Sequence, residues 1–188
     1  MNLPTIKFAK TESLVLRCCR ADMTSYGGFV WKKKGVVKAP DWKKNRDCGN
    51  GLRGWLSGQG HYDAWSASSD DLWMVVAVKT KDIIDLNGKV KFPAARVLYV
   101  GKREIATGLI VAHCPASKVI YGTVTAGDYG TATAGYGGTV TAGEGGILQI
   151  KAWDALRYRI IIGYVGENGL VAGTKYKLDE HAQFVEVA

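Results

Sequence analysis

Short apolar β-type runs recur along this chain, with strict period-two alternation of apolar and polar residues in its repeated segment, the pattern of a strand with one buried face, and helical stripes are few. Ser13-Leu14-Val15-Leu16-Arg17-Cys18-Cys19 reads as a strand, and Phe29-Val30-Trp31 and Gly35-Val36-Val37 as two short ones around a lysine turn. Trp73-Met74-Val75-Val76-Ala77-Val78 is apolar on both faces, which predicts a central strand. Asp82–Leu86 and Val97–Val100 follow, with Asn87-Gly88 between them. One short helical turn is predicted from Asp63-Ala64-Trp65 towards Asp71, while Leu109–Ala112 and Val119–Tyr121 read as β-rich runs.

Residues 122–145 then repeat an octad three times, GTVTAGDY, GTATAGYG and GTVTAGEG. Fixed-period self-similarity marks a stacked repeat, so a β-solenoid is expected. Val124, Ala126, Ala132, Ala134, Val140 and Ala142 point inward; Thr123, Thr125, Thr131, Thr133, Thr139 and Thr141 point outward. Gly122, Gly127, Gly130, Gly135, Gly138 and Gly143 are assigned to corners on the ground that positive φ suits glycine. Four strand residues and four corner residues do not close, so one coil takes two octads, about sixteen residues, and rises about 4.8 Å. So short a stack needs caps. Leu148 and Ile150 widen it, and Arg157–Val165, the turn Glu167-Asn168-Gly169, Thr174–Leu178 and Phe184–Val187 predict a small antiparallel end. The expected fold is therefore mainly β: a small α/β or β-rich head over 1–104, a short capped solenoid over 105–152, and a C-terminal hairpin cap over 153–188.

The segment Ala134-Gly135-Tyr136-Gly137-Gly138-Thr139-Val140-Thr141-Ala142 resembles the octapeptide repeat of bacterial ice-nucleation proteins. In that family the stacks are long, threonine ladders are proposed to order water and tyrosine ladders pair solenoids edge to edge. The resemblance implies a solenoid fold and makes Tyr129 and Tyr136 the candidate self-association residues. The array here covers 24 of 188 residues, far short of an ice template.

Charge changes the picture of the head. The net charge is +8, and residues 1–55 hold twelve Lys and Arg against four Asp and Glu, the rest of the chain thirteen of each. Lys32, Lys33, Lys34, Lys38, Lys43, Lys44, Arg46 and Arg53 are interleaved with Trp31 and Trp42. Cations neutralise phosphates and indoles offer stacking faces, so these ten residues are the candidate binding surface for an anionic partner, nucleic acid or an acidic protein. Arg20–Met23, Gly28–Trp31, Ala39–Trp42 and Cys48-Gly49-x-Gly51-Leu52-x-Gly54 resemble uncharacterised proteins of bacteria and their phages, in which a His often stands at the place of Arg53. That resemblance implies a phage-associated protein, one form of which inhibits a host nucleoprotein defence complex.

Candidate chemistry is sparse. Gly49-x-Gly51-x-x-Gly54 lacks the strand before it and the long helix after it that a nucleotide loop needs. His61, His113 and His181 have no ligand spacing, and Cys18, Cys19, Cys48 and Cys114 form no C-x-x-C. No metal or cofactor is predicted, and the cysteines are expected to be reduced, mostly buried thiols in a cytoplasmic protein without signal peptide or membrane span. The reading is a non-catalytic binding protein that forms a homodimer through its solenoid. An ADP-ribosyltransferase-like enzyme, with Arg17 or Arg20 and Tyr26 lining a nicotinamide pocket, is the first alternative, and a purely structural self-assembling protein the second.

Overall fold

The computed structural model describes residues 2–60, 70–115 and 117–187; His61 and the turn predicted at Asp63-Ala64-Trp65 lie outside the described residues. The chain divides into two compact units, residues 1–117 and 118–188. Strands predominate in both, as the period-two patterning requires. In the first unit β1 (Glu12–Cys19), β2 (Gly35–Lys38), β3 (Leu52–Leu56), β4 (Leu72–Lys79), β5 (Ile84–Asp85), β6 (Val90–Phe92) and β7 (Ala94–Gly101) precede one helix, α1 (Arg103–His113). They form a seven-stranded sheet in the order β2-β7-β4-β1-β3-β6-β5, antiparallel throughout.

The apolar run 73–78 lies at the centre, with β1 on one side and β7 on the other, and is buried on both faces. Val15, Cys19, Met74 and Val76 share one face with Met23, Trp31, Val37 and Phe92. Leu14, Leu16, Val75 and Ala77 point to the other, where α1 packs on β4, β1 and β7 through Ala106, Leu109 and Ile110. Each such aliphatic side chain contributes about 1.5–3 kcal/mol by leaving water.

Three expected strands are absent, one of them Val119–Tyr121, which forms a turn before β8 (Thr123–Thr125). Leu109–Ala112 belongs to α1, where Ala106, Leu109, Ile110 and His113 recur at helical spacing; packing on the sheet overrides the β-propensity of Ile110 and Val111. Phe29–Trp31 makes only an isolated bridge, Val30 to Thr24. The Asn87-Gly88 turn holds, both residues taking positive φ (58° and 109°), and Leu86 N bonds Lys89 O.

In the second unit β8 (Thr123–Thr125), β9 (Thr131–Ala134) and β10 (Thr139–Thr141) carry the octads, followed by β11 (Ile147–Trp153), β12 (Tyr158–Tyr164), β13 (Tyr176–Leu178) and β14 (Phe184–Glu186). β8 pairs in parallel with β10 and β9 with β11, Thr123 opposite Thr139 and Thr131 opposite Ile147. Both offsets are sixteen residues, so one coil takes two octads as expected. Val124, Ala132, Ala134, Val140, Ala142, Leu148 and Ile150 form the core between the two sheets. It widens from Ala132 and Ala134 to Leu148 and Ile150 one layer on. The antiparallel end splits its duty: β12 caps β11 in one sheet, and β13 caps β10 in the other with β14 beyond it. Among the described residues no helix is long and apolar enough to cross a membrane.

Candidate functional site

The repeat builds a layered surface, and its corners explain the octad. Gly122, Gly130, Gly138 and Gly146 each donate N–H to the carbonyl three residues back, Val119, Gly127, Gly135 and Gly143, at 3.1–3.2 Å. In each turn the third residue is left-handed: Tyr121, Tyr129, Gly137 and Gly145 have φ of 53°, 55°, 65° and 61°. The six glycines assigned to positive φ do not adopt it. At five of them space is the reason instead, while at Gly127 a Cβ would meet nothing within 4 Å. A Cβ at Gly138 would lie 2.7 Å from Ala134 Cβ and 2.8 Å from Gly122 O, and one at Gly135 2.6 Å from the Lys118 and Val119 carbonyls. The eighth position, filled by Tyr129 in the first octad, needs both properties at once in the second and third, at Gly137 and Gly145. A Cβ at Gly137 would stand 2.4 Å from the Tyr121 ring, and one at Gly145 2.7 Å from the Tyr129 ring, each ring covering the glycine one coil later.

The threonines form the ladder that parallel register demands. Thr123 Oγ1 and Thr139 Oγ1 are 2.8 Å apart, and Thr125 lies opposite Thr141, giving two rows of two on the β8–β10 sheet. On the other sheet Thr133 Oγ1 donates to Gln149 Oε1 at 3.1 Å. Asp128 Oδ1 accepts the Glu144 N–H at 3.0 Å, tying one corner to the next coil. Along one side Tyr136 packs edge-to-face between Tyr121 and Tyr158, at 6.2 and 6.0 Å, and Lys151 Nζ stands 4.3 Å from the Tyr158 ring. Tyr129 occupies a different octad position and is 82% exposed.

The cap begins at a turn organised by Asp154, which accepts from the backbone N–H of Leu156 and Arg157 and from Arg159 Nε. The Arg157 N–H first, then Arg159 and the Leu156 N–H, hold its carboxyl below the usual range. A lowered folded pKa stabilises above the unfolded carboxylate value of about 3.9, and that stabilisation is lost as pH falls through the folded value. Accordingly, acid titration followed by Trp153 fluorescence should show Asp154→Asn already weakened at pH 7 and less pH-dependent than the wild type below about pH 4.

The ten residues expected to bind an anionic partner do not form one surface. Lys32, Lys33, Lys34 and Lys38 are exposed and flank β2, the first strand in sheet order. Lys43, Lys44 and Arg46 lie on a loop anchored to β6, with β7, β4, β1 and β3 between. The anchor is Lys91, fully buried on β6, whose Nζ donates to Asn45 Oδ1 (2.5 Å), Asp47 O (3.1 Å) and Gly49 O (3.3 Å). The Trp31 indole is not offered for stacking, and that of Trp42 is half-buried. Trp31 is 2% exposed beneath the Arg17 guanidinium, 4.3 Å from its ring, and Trp42 lies against Gly51 with Lys91 Nζ 5.6 Å away. Arg53 is half-buried, donating to Cys48 Sγ at 3.0 Å and accepting Arg17 Nη1 at its carbonyl at 2.7 Å. Burial pushes Arg17 down to about 10, so it stays charged at neutral pH. Sequence reasoning missed Arg17's place on Trp31 and the role of Lys91, since a lysine in a Val-Lys-Phe strand reads as solvated.

A family described as a domain of unknown function, DUF7666, matches residues 13–111, just over half of the chain. The chain belongs to the DUF7666 family. The DUF7666 match covers the seven-stranded sheet from β1 and reaches into α1. This DUF7666 chain is also 42% identical over 99 residues to an ice nucleation protein of Pseudomonas fluorescens, covering 52% of the chain and 8% of the relative. It is 40% identical over 103 residues to one of Pseudomonas syringae (54% and 9%) and 35% identical over 102 residues to the ice nucleation protein InaU of Pantoea ananas (53% and 10%). The matched part thus spans a tenth or less of these relatives. No solved structure matches.

These relatives correct the expected function. Their names are those of ice nucleation proteins, and none points to nucleic acid, a host-defence complex, phage or ADP-ribosyl transfer. The physical grounds agree: the basic residues are dispersed, Trp31 is enclosed, and Arg17 is spent on Trp31 and the Arg53 carbonyl.

Proposed function

We propose that this chain is a non-catalytic structural protein of the ice-nucleation type, whose solenoid unit presents a small threonine array to ordered water or ice. The supporting observation is the two-by-two arrangement of Thr123, Thr125, Thr139 and Thr141, stacked in parallel register with hydroxyls in contact across the coil. The two threonines of a row stand one strand spacing apart, about 4.8 Å, and the two rows lie two residues apart along the strand, which holds hydroxyls and methyls in a fixed lattice. On this reading the array adsorbs to ice and is too small to template its nucleation.

Partition into slowly grown ice tests the reading. The full chain should enrich in the ice fraction several-fold over a Thr125→Lys/Thr141→Lys variant, while droplet freezing temperatures stay at those of buffer. Equal exclusion of both proteins from ice overturns it.

Self-association is a second reading, favoured by the outer face of β12. This terminal strand of its sheet exposes Ile160, Ile162 and Tyr164, with Trp153 on β11 beside it. A second copy pairing there would cover the free backbone edge and the apolar row together.

A further inference from the structure

We propose that Cys19, Met23 and Met74 form a binding site for a soft monovalent metal ion, Cu(I) or its analogue Ag(I), inside the DUF7666 domain. Cys19 Sγ stands 3.9 Å from Met23 Sδ and 3.7 Å from Met74 Sδ. Three sulfurs bound to one ion in a trigonal plane at about 2.3 Å stand about 4.0 Å from one another. Both distances from the thiol to the thioethers are therefore already those of a three-sulfur site before any metal enters.

The placement is specific. The chain holds three methionines, Met1 and these two, and both internal ones reach a single thiol. Cys19 and Met74 are diagonal neighbours on one face of the β1–β4 ladder, since Cys19 lies opposite Leu72 and Met74 opposite Arg17. Met23 arrives from the turn after β1, with φ of 70°, a conformation uncommon for a residue with a long side chain. That turn is pinned by Met23 N to Arg20 O (2.8 Å) and Trp31 N to Met23 O (2.9 Å). All three residues are buried, so their alternative role is plain packing, for which leucine would serve as well.

Charge and ligand type choose the ion. Thiolate and thioether ligands select Cu(I) over harder ions. One thiolate with a monovalent ion and two neutral thioethers is neutral overall, which an apolar interior tolerates; a divalent ion would leave a positive charge near the Arg17 guanidinium. Binding exchanges the Cys19 thiol proton for the metal: the S–H bond breaks, a sulfur–metal bond forms, and the proton leaves to solvent with no change of oxidation state. Among the described residues no three His, Cys, Asp or Glu side chains gather as a harder site.

The test uses the full chain with Cys48→Ser and Cys114→Ser, so that the two less buried thiols do not compete. Under anaerobic, reducing conditions it is titrated with Cu(I) against a coloured Cu(I) chelator. One equivalent should be withheld from the chelator. Met23→Leu and Met74→Leu should each weaken retention at least tenfold, and Cys19→Ala should abolish it. X-ray absorption of the Cu(I)-loaded protein should show three sulfurs at a single short distance. No retention by the parent protein, or retention unchanged by either leucine substitution, overturns the proposal. Should a leucine variant fail to fold, absorption showing fewer than three sulfur neighbours in the parent decides against it.

Discussion

Gly138→Ala should destabilise the second unit by about 2–4 kcal/mol, whereas Gly127→Ala should stay within about 0.5 kcal/mol of the wild type. The two glycines stand at different octad positions and neither takes positive φ, so backbone conformation does not separate them. Their surroundings do. An added methyl at Gly138 meets Ala134 Cβ at 2.7 Å, Gly122 O at 2.8 Å and Gly135 O at 3.0 Å. None is the free end of a flexible chain, so coils already at strand spacing must part. At Gly127 nothing lies within 4 Å, and alanine there also restricts the unfolded chain, a small gain. Gly143, in the same octad position as Gly127 but one coil later, would drive its methyl within 2.0 Å of Asp128 Oδ1 and should behave like Gly138. Hydrogen exchange of the β8–β11 amides across a urea series measures the difference. Equal losses at Gly127 and Gly138 would contradict the layered coil.

Lys91→Met should cost the first unit about 2–4 kcal/mol and open the segment 42–51 to protease. Methionine keeps most of the lysine volume, so the change isolates the polar term. Lys91 Nζ has three protons and three acceptors in reach, Asn45 Oδ1 and the carbonyls of Asp47 and Gly49. Removing the charge leaves those acceptors facing an apolar chain and frees the loop whose Gly51 is packed on Trp42. Limited trypsin digestion reports it directly: cleavage after Lys43, Lys44 or Arg46 should rise at least several-fold with the denaturation midpoint falling. An unchanged digestion pattern would show that the loop is held by something else.

The parts of this fold that were legible in the sequence are those whose partner is close in the chain or identical to themselves. The octads announce their own neighbours, so the sixteen-residue coil, the inward alanines and the widening at Leu148 and Ile150 could be read directly. The run 73–78 was legible because burial on both faces removes the need for alternation. What escaped depends on residues far apart. α1 carries Ile110, Val111 and a central Gly108, a poor helix by propensity; it forms because its apolar stripe lies on the sheet, with Leu3 against Gly108 at a distance of 3.1 Å from a Cβ built there. Lys91 and the lysines flanking β2 look alike in sequence, yet one is buried among carbonyls and the others are exposed. The corner glycines were placed correctly for the wrong cause, since sequence alone does not separate a crowded position from a left-handed one. The basic stretch was read as one surface because proximity in the chain stood in for proximity in space.

The sixteen-residue offset between paired strands also governs how such a chain can change length. Duplicating two octads adds one full turn and returns every side chain to its former wall, so Val140 would still face β13 and Leu148 would still face β12. Duplicating a single octad adds half a turn and exchanges the walls, presenting each terminal strand with the other's seat. Changes of length that leave both closing strands seated are thus quantised in whole turns, with those strands acting as a parity check on any duplication.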